Sequence, residues 1–231
     1  MKIALLGYGR MGKMIEGIAL DRGHSIVAKI DNNDPFELNG AEVAIDFSTP
    51  DAAFGNLTKC FAQGVPVICG TTGWLDRFDE AVANCSKHDG GFIYASNFSL
   101  GVNLFFELNK KLAQMMQPQK DYKTSLTEIH HIHKLDAPSG TGITLAEGVL
   151  AHSDKENWSL DGKVAEDLPI YSIREGEVPG THTVTYESKV DTIEITHEAH
   201  NREGFALGAV VAAEWIIGKT GIFTMKDVLG L

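Results

Sequence analysis

Stretches with the apolar spacing of β-strands and α-helices alternate along the first hundred residues of this 231-residue chain. The first strand pattern, 2–6, leads into a glycine-rich turn and then into apolar residues at helical spacing over 11–20. Later strand patterns lie at 25–30, 43–47, 65–69 and 92–95, and later helical patterns at 52–62 and 75–87. Neighbouring parallel strands need a crossover connection, which is usually a helix. The alternation therefore predicts an α/β unit with a Rossmann-like, doubly wound parallel sheet.

The pattern changes after Asn97 and predicts a second, smaller α+β unit. Its helices are expected at 102–116 and 143–150, and its strands, in a mixed or antiparallel sheet, at 122–129, 170–174, 182–188 and 192–197. The polar stretch 152–167 has no clear period, so we expect a loop or an irregular insertion there. An almost wholly apolar helix at 204–217 and a short segment at 223–229 follow.

Gly7, Gly9 and Gly12 follow the first strand and open the first helix, which is the context that a dinucleotide-binding fingerprint requires. Such glycines permit a tight turn and a close approach of the backbone to a pyrophosphate at the helix N-terminus. Asp31 ends the second strand pattern, 19 positions after Gly12, where a carboxylate can bind both ribose hydroxyls of NAD. We therefore predict that this unit binds a nucleotide.

Asp31 also bears on the choice between NADH and NADPH. The 2′-phosphate of NADPH would meet a like charge there, which costs on the order of a few kcal/mol at about 4 Å and an effective dielectric of about 20. Asn32 and Asn33 add no cation, although Arg10 is within reach of such a phosphate. We expect NADH to be preferred, with NADPH accepted less well.

Two further loops, Gly70–Gly73 and Ala95–Phe98, each follow a strand pattern. Ligands of doubly wound sheets bind at the carboxyl ends of the strands. We interpret both loops as candidate parts of the nucleotide site. An ordinary polar turn remains the alternative for either loop taken alone.

The segment 128–141 concentrates basic and titratable side chains in a chain that is otherwise acidic. His130, His131, His133 and Lys134 lie within five positions, and a Pro-Ser-Gly-Thr turn then opens a helix. The first turn of a helix offers unpaired N–H groups and the positive end of the helix dipole, which suit an anion. Histidine exchanges a proton readily near neutral pH. The segment therefore predicts anion binding and proton transfer at one catalytic centre.

The composition excludes several classes of partner. Twenty Lys and Arg residues against 31 Asp and Glu give a net charge of −11, which argues against nucleic acid or an anionic membrane surface. The most apolar stretch, 205–213, is far shorter than the roughly 20 residues of a membrane span. Cys60, Cys69 and Cys85 have no Cys-x-x-Cys spacing, and residues 1–7 do not resemble a signal peptide. We expect reduced thiols and a cytoplasmic protein.

Together these motifs resemble the dihydrodipicolinate reductase family. The matching elements in the first two thirds are Gly7-Tyr-Gly-Arg-Met-Gly12, Asp46-Phe47, Gly70-Thr-Thr-Gly73, Asn97-Phe-Ser-x-Gly-Val-Asn103 and Glu128-x-His-His-x-His-Lys-x-Asp-Ala-Pro-Ser-Gly-Thr141. Those in the last third are Gly180-x-His182, Ile195-Thr-His197, Arg202, Phe205-Ala206, Gly208-Ala-Val210 and Asp227-Val-Leu229. The segment 128–141 is specific to the family, whose longer members have more residues between 150 and 168.

The resemblance implies a dinucleotide-binding domain at 1–101 and 203–231, and a substrate-binding and oligomerisation domain at 102–202 of a homotetramer. It implies an enzyme that uses NAD(P)H to reduce 4-hydroxy-tetrahydrodipicolinate, a cyclic dicarboxylate of lysine and diaminopimelate biosynthesis, to tetrahydrodipicolinate. The cofactor would then be bound by Gly7, Gly9, Arg10, Met11, Gly12, Asp31, Gly70, Thr71, Thr72, Ala95, Ser96, Asn97 and Phe98.

The resemblance also implies roles within 128–141. His130 would be the proton donor or acceptor, Lys134 a second proton donor and His131 a substrate contact, while Gly140 and Thr141 would hold a substrate carboxylate. The sequence does not decide between His130 and Lys134 as the group that delivers the proton. We favour His130, with Lys134 fixing and polarising the substrate, because an ordinary lysine is a weak acid near pH 7.

A zinc site is the main structural alternative for His130, His131 and His133. Adjacent side chains on a strand face opposite sides, no cysteine pair lies nearby, and Glu128 and Asp136 are not at a recognised ligand spacing. We therefore expect no metal. The sequence gives little reason to assign Glu128 a role in orienting an imidazole.

Two other functions fit the same scaffold. Another NAD(P)-dependent imine or amino-acid dehydrogenase would reduce a different substrate and would be separated by a substrate panel. A non-catalytic NAD-sensing protein would have lost its proton donors, whereas His130 and Lys134 are present here. The roles of His182, His197 and His200 stay open.

Overall fold

The computed structural model describes residues 1–31, 34–201 and 203–231. The chain divides into two compact units. The N-terminal unit combines Met1–Leu100 with Glu203–Leu231, and the central unit is Gly101–Arg202. Asn32, Asn33 and Arg202, which entered the sequence interpretation, lie outside the described residues.

Over the described residues, the sheet of the N-terminal unit has six parallel strands. These are β1 (Lys2–Leu6), β2 (Ser25–Ile30), β3 (Val43–Asp46), β4 (Val67–Cys69), β5 (Gly91–Tyr94) and β11 (Gly221–Phe223). Their order is β11-β5-β4-β3-β1-β2. The chain therefore winds outward from β1 to β2 and then restarts on the other side of β1, so β1 and β3 flank the topological switch point.

Helices cover both faces of this sheet. They are α1 (Arg10–Asp21), α2 (Pro50–Ala62), α3 (Phe78–Lys87), α6 (Glu203–Ile216) and α7 (Met225–Leu229). Ala4 and Leu6 of β1 face the core beneath α2 and α3, whereas Ile3 and Leu5 face the core beneath α1 and α6. Burial on both sides explains why β1 and β4 have nearly continuous apolar sequences.

The central unit has a mixed sheet with helices on one face. Its helices are α4 (Leu100–Met116) and α5 (Gly140–Leu150), and its strands are β6 (Lys123–His130), β7 (Trp158–Leu160), β8 (Leu168–Arg174), β9 (Thr181–Glu187) and β10 (Thr192–Glu198). The strand order is β10-β9-β6-β8-β7. β6 pairs antiparallel with β9 and parallel with β8, while β9 and β10 form an antiparallel pair.

The two faces of this mixed sheet differ in burial. Leu126 of β6 packs with Leu145 and Val149 of α5 in the core of the unit. Glu128 and His130 lie on this same face, because side chains two apart on a strand point the same way. On the opposite face Tyr171 and Ile173 are 42% and 43% exposed.

The α/β class, the parallel sheet and the mixed second sheet are confirmed, and several boundaries need correction. The 152–167 stretch is not wholly irregular, because it contains β7. The segment expected as a helix from residue 75 begins as a 3-10 turn, Leu75–Arg77, before α3. The last segment adds β11 to the sheet edge. Within the described residues, every helix is too short or too polar to cross a membrane.

Candidate active site

The histidine-rich segment begins at the carboxyl end of β6. His130 is the last residue of that strand, and its neighbour in register on β8 is Arg174. Glu128, two residues earlier, lies opposite His182 of β9. The covered face of the sheet thus brings a carboxylate, two imidazoles and a guanidinium together, beside the start of α5.

The carboxylate of Glu128 is the centre of this group and is 1% exposed. The Ser139 backbone N–H donates to both of its oxygens at 3.1 and 3.0 Å, the Ser139 hydroxyl donates to Oε2 at 2.6 Å, and the Ser172 hydroxyl donates to Oε1 at 2.8 Å. Nη1 of Arg174 lies 3.6 Å from Oε1. Burial raises the pKa of Glu128, but the hydrogen bonds from Ser139 and Ser172 outweigh burial and leave it below its ordinary value. Glu128 is therefore ionised.

His130 is 6% exposed and lies against this carboxylate. Its Nδ1 is 3.9 Å from Oε1 of Glu128, and its ring packs edge-on against His182 at 5.0 Å between centroids. Burial lowers the pKa of His130; the charge of Glu128 raises it, and Lys134 and Arg174 lower it further. The pKa of His130 therefore lies below its ordinary value, with burial as the main cause.

The hydrogen bonds around Ser139 determine the tautomer of His182. The Ser139 hydroxyl donates its one proton to Glu128, so it accepts from the Gly142 N–H at 3.0 Å and from Nε2–H of His182 at 3.2 Å. Burial, then the neighbouring His130, lowers the pKa of His182 to about 4. His182 is therefore neutral near pH 7, and its Nε2–H helps to fix the Ser139 hydroxyl.

Lys134 and Arg174 bring positive charge to the rim of this group. Nζ of Lys134 contacts both carboxylate oxygens of Asp136, at 2.8 and 2.9 Å. Arg174 donates to the backbone carbonyls of Lys134 and Asp136, at 3.1 and 2.7 Å. The guanidinium therefore fixes the loop that carries the lysine.

The first turn of α5 lies next to the buried carboxylate. Ser139 is the N-cap residue, and Gly140 and Thr141 supply the first N–H groups of the helix. A Cβ atom at Gly140 would meet no atom within 4 Å among the described residues. There is therefore space beside the first residue of a helix whose N-terminal N–H groups suit an anion.

His131 and His133 do not join the buried group. Their rings are 6.1 Å apart, and Nε2 of His133 pairs with exposed Glu177 at 3.3 Å. His197 of β10 is the register partner of His182 and packs against Phe105, and His200 is exposed.

Among the described residues, Glu128, His130 and His182 have the mutual spacing of a metal site. This is not the histidine trio that the sequence suggests. The donors of Ser139 and Ser172 already occupy the carboxylate oxygens, and the nearby guanidinium of Arg174 would repel a cation. The donor set therefore suits proton chemistry better than a bound ion.

In the N-terminal unit, the fingerprint glycines form a tight turn after β1. Gly7 has φ +87°, and a side chain there would clash with the carbonyl of Phe47. A side chain at Gly12 would clash with the carbonyl of Gly7. Gly9, the N-cap of α1, has open space where its Cβ would be. The turn therefore fits a pyrophosphate at the helix N-terminus.

A cavity of about 210 Å³ opens at the switch point between β1 and β3. Its lining residues come from the ends of β1, β2 and β3 and from α2, namely Gly7, Gly9, Ile30, Asp31, Phe47, Ser48, Thr49, Ala52 and Asn56. Asp31 lies at the end of β2, while Arg10 is exposed in the first turn of α1. These residues fit the ribose and pyrophosphate of a dinucleotide.

Asp46, at the end of β3, binds residues that line this cavity. Its buried carboxylate accepts hydrogen bonds from the Thr71 hydroxyl, the Asn56 amide at 2.8 Å and the Ser48 hydroxyl at 2.9 Å. The Ser48 backbone N–H also donates to Oγ1 of Thr71, at 2.9 Å. The Thr71 side chain is therefore turned inward, so that a ligand would reach this residue through its backbone.

The remaining predicted cofactor residues follow the carboxyl ends of β4 and β5. Thr72 and Ser96 are exposed, and Asn97 accepts from the Ser99 N–H at 2.9 Å. Phe98 is 1% exposed and packs on Phe47, with ring centroids 5.9 Å apart. The Phe98 side chain thus belongs to the core. The half-buried Met11 packs against that core too, while Gly70 and Ala95 also follow the strand ends.

Comparisons with known proteins show which family the chain belongs to. Family models described as dihydrodipicolinate reductase, N-terminus and C-terminus, match residues 1–98 and 101–229. The chain belongs to the dihydrodipicolinate reductase family. It is 60% identical over 233 residues to the 4-hydroxy-tetrahydrodipicolinate reductase of Christiangramia forsetii, covering 99% of this chain and 98% of that one.

More distant members show the same relationship. The 4-hydroxy-tetrahydrodipicolinate reductase of Alkaliphilus metalliredigens is 36% identical over the full length of both chains. A dipicolinate-bound dihydrodipicolinate reductase from Paenisporosarcina sp. TG-14 superposes with a TM-score of 0.82 at 20% identity, over 97% of each chain, and this likeness shows the fold alone. The family consists of NAD(P)H-dependent oxidoreductases.

Sequence reasoning missed the residues that organise the buried group. The sequence places Ser139 in a turn and does not single out Ser172 or Arg174. It leaves the role of His182 open, although His182 lies in the matching element Gly180-x-His182. Side chains alternate between the two faces along β8 and β9, and this alternation is the signal that could place these residues on the same face as Glu128.

Replacing His182 should change the acid stability of the protein. Because the pKa of His182 is about 4 in the folded chain and near 6.5 when unfolded, the unfolded chain binds the proton first as pH falls. This group should remove about 2 kcal/mol of stability between pH 7 and pH 5. Urea unfolding of His182→Gln should therefore lose less stability over that range than the parent.

The exposed residue His133 supplies the matched control. His133→Gln should keep the pH dependence of the parent. A His182→Gln variant that loses as much stability as the parent would contradict a neutral, buried His182.

Proposed function

We propose that this chain reduces 4-hydroxy-tetrahydrodipicolinate to tetrahydrodipicolinate in lysine and diaminopimelate biosynthesis. The observation that carries the proposal is the match of family models to residues 1–98 and 101–229, together with the group around Glu128. The relatives from Christiangramia forsetii and Alkaliphilus metalliredigens bear the name of this reaction. The buried proton-transfer group beside an open helix N-terminus suits a dicarboxylate substrate.

The 4-hydroxyl leaves as water together with a proton from a neighbouring ring carbon, and the conjugated ring that results takes up one hydride and one proton. NAD(P)H supplies the hydride, and we assign its binding to the Gly7–Gly12 turn, Asp31 and the loops Gly70–Gly73 and Ala95–Phe98. After hydride addition the ring has an electron-rich enamine carbon that must take a proton. Proton delivery is therefore the chemical task of the central unit.

We assign proton delivery to His130. Burial holds the pKa of His130 below its ordinary value, and the ionised carboxylate that it faces opposes part of this effect by favouring the protonated form. Lys134, paired with Asp136 at the rim, is available to exchange that pairing for a substrate carboxylate. His131, next to the buried imidazole in sequence, is assigned a substrate contact.

We assign binding of a substrate carboxylate to Gly140 and Thr141. Both residues supply N–H groups at the start of α5, and Ser139 fixes the helix N-terminus on the buried carboxylate. The Paenisporosarcina sp. TG-14 relative was solved with dipicolinate, which is itself a planar dicarboxylate. The two carboxylates of such a ligand need several donors, which the helix turn and Lys134 would provide together.

NADH oxidation at 340 nm tests the assignment. The substrate would be made in the assay from pyruvate and aspartate semialdehyde by the upstream synthase, with NADPH run in parallel. We expect substrate-dependent turnover, and a fall of at least about 100-fold in kcat for Lys134→Ala, because that variant loses a charge on the substrate. The exposed Lys111→Ala is the control.

Two results would contradict the assignment. Absence of turnover from protein that still binds NADH would favour another imine or amino-acid dehydrogenase, or an NAD-sensing protein. Unchanged turnover in Lys134→Ala would remove segment 128–141 from the active site.

We propose that NADH is the preferred cofactor because Asp31 lines the cavity beside Gly7 and Gly9. Its carboxylate suits the ribose hydroxyls and repels a 2′-phosphate. Asp31→Asn should raise the ratio of kcat/KM for NADPH to that for NADH by about tenfold, since solvent screens part of the repulsion. Asp21→Asn, at the end of α1, should leave the ratio unchanged. An unaltered ratio in Asp31→Asn would remove the basis for the preference.

We propose a homotetramer in the cytoplasm. The support is the second face of the mixed sheet, where Tyr171 and Ile173 remain exposed, and three buried thiols that form no disulfide among the described residues. Light scattering should give a mass near four times 25.1 kDa, and Tyr171→Glu should lower it. A single-chain mass for the parent, or its recovery outside the cytoplasmic fraction, would contradict the respective proposal.

A further inference from the structure

We propose that Glu128 is a positioning residue for the proposed proton donor. In this arrangement the carboxylate of Glu128 holds a proton on Nδ1 of His130. Nε2 is then the atom that passes a proton to the substrate. The inference rests on the proposed function, in which His130 delivers the proton. The buried carboxylate of Glu128 would then serve the reaction, through His130, as well as the fold.

The burial of Glu128 calls for a purpose beyond stability. Over the described residues, Glu128 and Asp46 are the two carboxylates classed as buried, and Glu128 is the one that faces an imidazole. A buried charge that is well hydrogen-bonded often contributes no more stability than an apolar side chain of similar size. The charge, and not only the packing of β6 on α5, therefore points to a role in the chemistry.

The carboxylate determines which nitrogen of His130 carries the fixed proton. Glu128 is ionised, so it can only accept a hydrogen bond, and the nitrogen that faces it is Nδ1 at 3.9 Å. This separation is that of an ion pair, and catalytic hydrogen bonds are often long in ligand-free sites. A proton on Nδ1 leaves Nε2 for exchange with substrate.

Two glycines leave room for this arrangement. A Cβ atom at Gly142 would lie 2.6 Å from Oε2 of Glu128, and one at Gly180 would lie 3.2 Å from Nε2 of His130. A side chain at Gly142 would thus clash with the carboxylate, and one at Gly180 would crowd the imidazole and strain a backbone with φ +155°. Ser139 joins the pair to α5, because its backbone N–H and its hydroxyl both donate to the carboxylate.

The charges that face His130 come from every element around it. Glu128 on β6 and Asp136 on the following loop favour its protonated form. Lys134 on the same loop and Arg174 on β8 oppose that form. The adjacent His182 of β9 is neutral near pH 7, because its pKa is about 4. Without the carboxylate, the imidazole would face mainly cations and would lose its proton at lower pH.

The pH profile of Glu128→Gln tests the proposal. Glutamine keeps the size and one acceptor oxygen but removes the charge. As a proton donor His130 must be protonated, so kcat should fall as pH rises; we call this fall the alkaline limb of the pH profile. In Glu128→Gln the limb should lie lower than in the parent by on the order of one pH unit. We expect kcat near pH 7.5 to fall at least about tenfold, with KM within about threefold.

Two other variants separate positioning from support of the fold. Ser172→Ala removes one donor to the carboxylate but keeps its charge, so the limb should stay in place. The same Glu-to-Gln change at exposed Glu147 of α5 should alter nothing. If Glu128 only holds α5, Glu128→Gln will raise KM and leave the limb unmoved, which would overturn the proposal.

Nitrogen NMR of the parent provides a test that needs neither a folded variant nor turnover. The neutral imidazole of His130 should carry its proton on Nδ1 at pH 7.5. A proton on Nε2 would overturn the inference even in an active enzyme. An Nδ1 proton in a protein that fails to reduce the substrate would support the Glu128–His130 arrangement while the proposed function fails.

Discussion

The buried carboxylate of Glu128 is the interaction on which the central unit depends. Four hydrogen bonds from Ser139 and Ser172 keep it ionised, and they join β6 to β8 and to the first turn of α5. The same charge lies beside His130, so proton chemistry and the helix N-terminus are held by one group. The reaction we propose needs a proton donor to a ring carbon and a binding site for a carboxylate. The hydrogen bonds of Glu128 fix these two features relative to each other.

The N-terminal unit uses a buried carboxylate in a comparable way. Asp46 receives hydrogen bonds from Ser48, Asn56 and Thr71, and so it joins the loops that follow β3 and β4. Burial raises the pKa of Asp46, against the effect of these hydrogen bonds. The carboxylate stabilises loop backbones beside the fingerprint turn, where a dinucleotide would bind. In both units a buried carboxylate that does not touch the proposed ligand fixes the backbone of the loops that would contact it.

Local patterns in the sequence were sufficient to predict the α/β class, the glycine turn and the segment that contains His130 and Lys134. They depend on spacing within a few residues, which a single sequence displays directly. Arg174 and His182 lie more than 40 positions from His130, and only strand pairing brings them to it. β7 and β11 are three residues each, too short for a period to appear. Tertiary register, which local pattern does not encode, accounts for what was missed.

Binding of a substrate carboxylate by the start of α5, beside His130, is tested most directly at Gly140. Gly140→Pro removes one backbone N–H while proline remains compatible with the first helical position, and Gly140→Ala keeps that N–H. The measurement is the inhibition constant of dipicolinate for the two variants. We expect binding to be about tenfold weaker in the proline variant, because it loses one charge-assisted hydrogen bond. Equal inhibition constants would contradict it.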